Sequence, residues 1–202
     1  MFYIIITTSI LNKRGIINET HRKNRYIECI QQLLKLIEND TSIKVIVVEN
    51  NGKRQTYFDD LNCDVFYTNN NNFNLQHKGV NELLDIKEVI NAYNIEDDDT
   101  IIKLTGRYKL LNSNFINLIK MNQYDAYVKF FNVCTKQFMY DDCVLGLFGI
   151  KSKYIKNFNY TCDKSPECEF ANHIRNNVTK LIEIENLNLE CCFADDLRLL
   201  NV

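Results

Sequence analysis

The chain has 202 residues and a formal net charge of −2, with 46% apolar and 25% charged residues. That is the balance of a globular protein able to bury a sizeable core, without the basic excess that a nucleic-acid partner demands. No apolar run reaches bilayer length, and Met1-Phe2-Tyr3-Ile4-Ile5-Ile6 lacks the basic flank and small-residue cleavage site of a signal peptide, so we expect a cytoplasmic protein with no membrane span.

Phe2 to Ile10 is a continuous apolar run, as expected of a strand covered on both faces. Asn18 then has the character of an N-cap, and Tyr26, Ile27, Ile30, Leu33, Leu34 and Ile37 recur at helical spacing. Ile43 to Val48 reads as a second strand, closed by the turn signal Glu49-Asn50-Asn51-Gly52, and Val65 to Thr68 as a short third. An Asn-rich stretch leads into a helix from about His77 to Tyr93, and Thr100 to Leu104 is a fourth strand. Further on, Phe115 to Met121 reads as a helix, and Tyr124 to Phe131 and Val144 to Ile150 read as strands. Ser165 caps a helix to Asn176 with Pro166 at its first position, and Leu181 to Ile184 reads as a short strand before an apolar tail. The order implies an α/β fold with a mostly parallel, twisted central sheet flanked by helices, and ligands are expected beyond the carboxyl ends of its strands.

The loops at that edge hold Thr7, Thr8 and Ser9, with Arg22 and Arg25 in the next helix; then Glu49, Asn50 and Asn51; then Asn69 to Asn72, including Asn70, followed by His77, Lys78 and Gly79; then Thr105, Gly106 and Arg107. Short hydroxyls and amides suit a base and ribose, and a helix N-terminus bearing a lysine suits a phosphate. Each loop alone reads better as an ordinary turn; four along one sheet edge form a pattern. The eight cysteines contain no CxxC pair and are expected to stay reduced, and the three histidines are not at metal spacing. The richness in Asn, Ile and Lys points to an AT-rich genome, as in a virus or parasite.

Ile6-Thr7-Thr8-Ser9, Val47-Val48-Glu49-Asn50-Asn51, the helix from Asn74 to Ile90 and Ile101-Ile102-Lys103-Leu104-Thr105-Gly106-Arg107-Tyr108 together resemble the nucleotide-binding half of GT-A glycosyltransferases, including small viral and bacterial members, a chlorella-virus module among them. The resemblance implies a single domain with a nucleotide-sugar-binding half (1–108) and an acceptor half (109–202). It also implies a nucleotide-sugar donor, with UDP favoured, and a glycan or other hydroxyl acceptor. Such enzymes usually hold Mn²⁺ or Mg²⁺ on an Asp-x-Asp after the fourth strand, where this chain has Thr105-Gly106-Arg107. Asp97-Asp98-Asp99 precedes that strand, about 15 Å away at the opposite sheet edge. Arg107 with Lys78 or Lys103 is the metal-free alternative for the diphosphate, Lys103 being in doubt because strand alternation can turn it away. An inverting transferase needs a base, and the helix mouth Ser165-Pro166-Glu167-Cys168-Glu169 offers Glu167, then Glu169, although acids are common in any first turn. Asp141-Asp142 either lines an acceptor site or ends a turn, and Gly146 and Gly149 mark close backbone approach, as to a donor sugar. Three alternatives stand beside the transferase: a sugar-phosphate nucleotidyltransferase, disfavoured by the single glycine in the loop after the first strand; a non-catalytic nucleotide-sugar-binding module or decayed transferase; and a scaffold with no ligand.

Overall fold

A computed structural model describes residues 1–11, 13, 19–73, 75, 77–130, 141–194 and 196–202. Asn18 as a cap, Asn74 as a helix start and Phe131 as a strand end lie outside the described residues. A seven-stranded sheet has the order β3-β2-β1-β4-β7-β6-β8. Its parallel half is β1 (Phe2–Thr8), β2 (Ile43–Glu49), β3 (Asp64–Tyr67) and β4 (Thr100–Thr105). β7 (Leu147–Lys151) runs antiparallel between β4 and β6 (Ala126–Val128), and β8 (Leu181–Glu183) lies parallel to β6.

The apolar run of β1 is continuous because both faces are covered. Ile4 and Ile6 meet Tyr26, Ile30 and Leu33 of α1 (Glu19–Leu36) on one side. Tyr3 and Ile5 meet Leu83, Ile86, Val89 and Ile90 of α2 (Lys78–Ala92) on the other. Each fully buried aliphatic side chain contributes about 2 kcal/mol of transfer free energy, so this stack fixes the register of the central strands. That register sets Thr7 level with Val48 and Thr105 and gathers the loops after β1, β2 and β4 at one edge. Asp97 to Asp99 lie at the other edge, where the Thr100 amide donates to Met1 O at 3.1 Å.

α3 (Asn114–Met121) and α5 (Pro166–Asn177) form where the apolar spacing and the Ser165 cap place them; Ser165 Oγ accepts from the Cys168 amide at 3.3 Å. Four short elements had no sequence signal. They are β5 (Lys109–Leu110), α4 (Ser152–Lys156), β9 (Leu189–Cys192) and β10 (Leu199–Asn201). β5, β9 and β10 form a separate three-stranded antiparallel sheet. Among the described residues no helix is long and apolar enough to cross a membrane.

Candidate active site

A cavity of about 190 Å³ opens at the carboxyl edge of the parallel strands. Its wall takes Thr7, Thr8 and Ser9 from the end of β1, Asn50 from the end of β2, and Lys13 from the loop after β1. Arg22 and Tyr26 come from α1, and Arg107 follows β4. Asn71, Phe73, Leu75 and His77 come from the β3–α2 connection, and Lys78, Asn81 and Glu82 from the first turns of α2. The topology explains the convergence: α1 and α2 cross over on opposite faces, so both helices begin at this edge.

Among the described residues, three buried polar atoms on this wall have no hydrogen-bond partner: Thr7 Oγ1, Arg22 Nη1 and Asn81 Oδ1. Such groups cost about 1–3 kcal/mol each unless a ligand or water satisfies them. Arg22 is 5% exposed, donates from Nε to Ser9 O at 3.2 Å, and lies over the Tyr26 ring at 5.6 Å. Lys13 donates to Asn71 O in the β3–α2 connection. Burial works against the charge of Arg107, yet Tyr26, Tyr108 and Glu82 outweigh it, holding the guanidinium above its ordinary pKa.

Several residues expected to touch the donor instead build the frame. The Glu49 carboxylate is fully buried and accepts from Thr8 Oγ1 (2.9 Å), the Ile10 amide (3.0 and 3.2 Å), Asn51 Nδ2 (2.5 Å) and Arg54 (3.4 Å). Asn51 also donates to Ser9 Oγ at 3.2 Å, so Glu49 and Asn51 pin the loop after β1 against that after β2. Asn70 donates to Asp85 Oδ1 and to Glu88 Oε1, both at 2.8 Å. Gly79 and Gly106 are small for packing: a Cβ at Gly79 would sit 2.7 Å from Pro166 Cβ, and one at Gly106 2.7 Å from Thr8 Cγ2. Gly146 likewise meets the Tyr108 ring and Gly149 meets Ile119, so the close approach at both is to a side chain. Thr105 Oγ1 accepts from Lys103 Nζ at 2.6 Å.

The two arginines of α1 divide. Arg22 lines the cavity, whereas Arg25 turns to β9, pairing with Glu190 Oε1 at 2.8 Å and donating to Arg107 O at 2.9 Å. The expected bases at the mouth of α5 are not on the wall either. Glu169 caps the preceding loop, accepting from the Thr161 amide (2.7 Å) and the Lys164 amide (3.1 Å); burial opposes ionisation, but these amides hold its carboxyl below the usual range. Glu167 sits half-buried on a helix whose first residue, Pro166, packs on Gly79. Asp141 accepts from Lys164 Nζ at 3.4 Å and from Cys168 Sγ at 3.5 Å, outside the cavity.

The acid that does line the wall is Glu82; with Asn81 it lies in the stretch Lys78 to Leu83 that the resemblance sets against the donor, but neither was singled out, nor were Tyr26, Phe73 and Leu75. Asp85, one turn on, was missed too. It is fully buried and accepts from Asn50 Nδ2 (3.1 Å), Thr68 Oγ1 (2.6 Å) and Asn70 Nδ2 (2.8 Å). Burial pushes its carboxyl up to about 7, against these three hydrogen bonds. An acid on the apolar stripe of α2, between Leu83 and Ile86, was the available signal.

No protein family's profile matches this chain, and no curated protein matches it by sequence. Solved structures do resemble it. Staphylococcus aureus TarS 1–349 superposes with a TM-score of 0.56 at 13% identity, over 91% of this chain and 57% of that one. A Desulfovibrio desulfuricans G20 protein assigned as a nucleotide-diphospho-sugar transferase gives 0.54 at 7% identity, over 91% and 79%. The chain shares their fold, a mixed α/β architecture with a mostly parallel central sheet flanked by helices. A 4-diphosphocytidyl-2C-methyl-D-erythritol synthase shares it, with a TM-score of 0.55 at 11% identity, over 93% and 90%.

Proposed function

We propose that this chain is a glycosyltransferase that moves a sugar from a nucleoside-diphospho-sugar, UDP-linked by preference, to a hydroxyl acceptor such as a glycan. The observation that carries the reading is the convergence of Lys13, Arg22, Lys78 and Arg107 on one cavity at the carboxyl edge, with the buried Arg22 Nη1 and Thr7 Oγ1 unbonded. Cations there bind a diphosphate through charge-assisted hydrogen bonds, aided by the amides at the start of α2. As C1–O cleavage builds charge on the leaving diphosphate, the same cations stabilise it. Thr7, Ser9 and Asn50 offer the polar edges that hold a nucleoside, with Thr8 packed beneath them.

A divalent ion would need carboxylates at this wall. The wall supplies Glu82, already paired with Lys103 at 2.5 Å, and among the described residues no three His, Cys, Asp or Glu side chains stand together as a metal site. These residues do not fit Mn²⁺ or Mg²⁺, so the reading assigns diphosphate neutralisation to side-chain cations. Residues 1–108 then supply the donor half and 109–202 the acceptor half.

The test is product analysis with UDP- and GDP-sugars in EDTA and in Mn²⁺. Release of UDP or GDP with transfer or hydrolysis, undiminished in EDTA, is expected; no turnover of any sugar nucleotide contradicts the reading. A second reading, sugar-phosphate nucleotidyl transfer, draws on Lys13 over the cavity and on the likeness to the synthase. It would show as pyrophosphate release from CTP or UTP with a sugar phosphate.

A further inference from the structure

Lys103 is a buried lysine, 2% exposed in the middle of β4. Its three N–H bonds are all engaged, by Glu82 Oε2 at 2.5 Å, Thr105 Oγ1 at 2.6 Å and Leu145 O at 2.8 Å. It therefore has no donor left for a phosphate, and its one charged partner among the described residues is the acid of the cavity wall. A buried ion pair is a weak contributor to stability, because desolvation offsets its attraction. This one has a definite geometric result: it fixes a carboxylate in place.

Glu82 stands where two spaces meet. It lines the cation-rich cavity, and it also lines a small apolar hollow of about 20 Å³ formed with Leu145, Phe148, Tyr160 and Phe170. It also lies within electrostatic reach of Arg107. Lys103 holds Oε2, and the Glu82 side chain keeps 28% of its surface exposed where it lines the cavity. The cations Lys78 and Arg107 line the same cavity, so a diphosphate held by them shares that space with the carboxylate.

We infer that Glu82 is the general base of the transfer, and that Lys103 is the positioning residue that holds it. The inference rests on the transferase reading above. In the step, the acceptor O–H gives its proton to Glu82 Oε1 and the acceptor oxygen forms a bond to C1. The C1–O bond to the diphosphate breaks, and its electron pair leaves with the nucleoside diphosphate, stabilised by Arg107 and Lys78. Glu82 then returns the proton to water.

The experiment uses the full chain and the fastest donor of a panel of UDP-glucose, UDP-galactose, UDP-N-acetylglucosamine and GDP-mannose. Glu82→Gln should lower kcat by about 10²–10⁴-fold while UDP affinity stays within about threefold, and formate should restore part of the turnover of Glu82→Ala. If Glu82→Gln leaves Lys103 unpaired and unfolds, the Glu82→Gln/Lys103→Met double variant removes the stranded charge and is read by the same criteria. A kcat within about tenfold of wild type overturns the role. So does a loss matched by an equal loss of UDP affinity, which would make Glu82 a binding residue. A wild-type protein that turns over none of these donors overturns the transferase reading, and Glu82 with it; an active wild type with an equally active variant overturns Glu82 alone.

Discussion

Replacing Asp85 by asparagine tests whether the frame of the cavity carries a buried, neutralised acid. Burial pushes Asp85 from 3.8 up to about 7. Between about pH 4 and pH 7 the folded protein keeps a proton that the unfolded chain has lost, so folding binds the extra proton and stability falls as pH rises. The acid contributes no penalty below about pH 4, where both states are protonated. Above about pH 7 the full shift of roughly 3 units costs about 4 kcal/mol. An asparagine keeps an acceptor for Thr68 and Asn70, and its amide requires Asn50 to turn its own amide over, a change worth about 1 kcal/mol. The stability difference between Asp85→Asn and wild type should therefore grow by about 4 kcal/mol from pH 4 to pH 8, in favour of the variant. Urea denaturation of both proteins across that range reads it directly. A difference that stays flat within about 1 kcal/mol would refute the reasoning, because Asp85 would then titrate alike in both states.

The remaining predictions concern which side chains face the ligand. Arg22→Ala should weaken UDP binding by about 10–100-fold in titration calorimetry, the range of one charge-assisted hydrogen bond. Arg25→Ala should instead lower stability by about 3 kcal/mol, by stranding Glu190 and the Arg107 carbonyl, with UDP affinity within about threefold; equal losses of affinity in the two would contradict the division of α1. Gly79→Ala should destabilise by about 1–3 kcal/mol in thermal melts, since the new Cβ meets the rigid Pro166 ring at 2.7 Å, and an unchanged melt would show that α5 does not rest there.

The main elements were legible because their signals are local. β1 is a continuous apolar run, and α5 begins at Ser165-Pro166, where cap and ring act on adjacent residues. β5, β9 and β10 are too short to show a period, and their partners lie far along the chain, as when Lys109 pairs with Glu190. The edge that holds the cavity followed from topology alone, since parallel strands end their loops together. Which side chain at that edge turns inward did not. Arg22 and Arg25 are equally plausible on a helix until its docking angle is known. Glu167 and Glu82 each sit near a helix mouth; of the two, Glu82 lines the cavity and pairs with Lys103 on β4, through packing that no local pattern encodes. The acidic triplet at Asp97 to Asp99 could be set aside by counting strand residues, whereas the buried Asp85 needed its three side-chain partners in view.

The central claim is that side-chain cations at this edge hold a nucleoside diphosphate without a metal. Titration calorimetry of UDP into wild type and Arg22→Ala/Arg107→Ala, each in EDTA, tests it most directly. Binding by the wild type that the double variant loses by about 10²-fold or more is the predicted result. Wild-type binding that appears only on adding Mn²⁺, or affinity unaffected by removing both arginines, would contradict it.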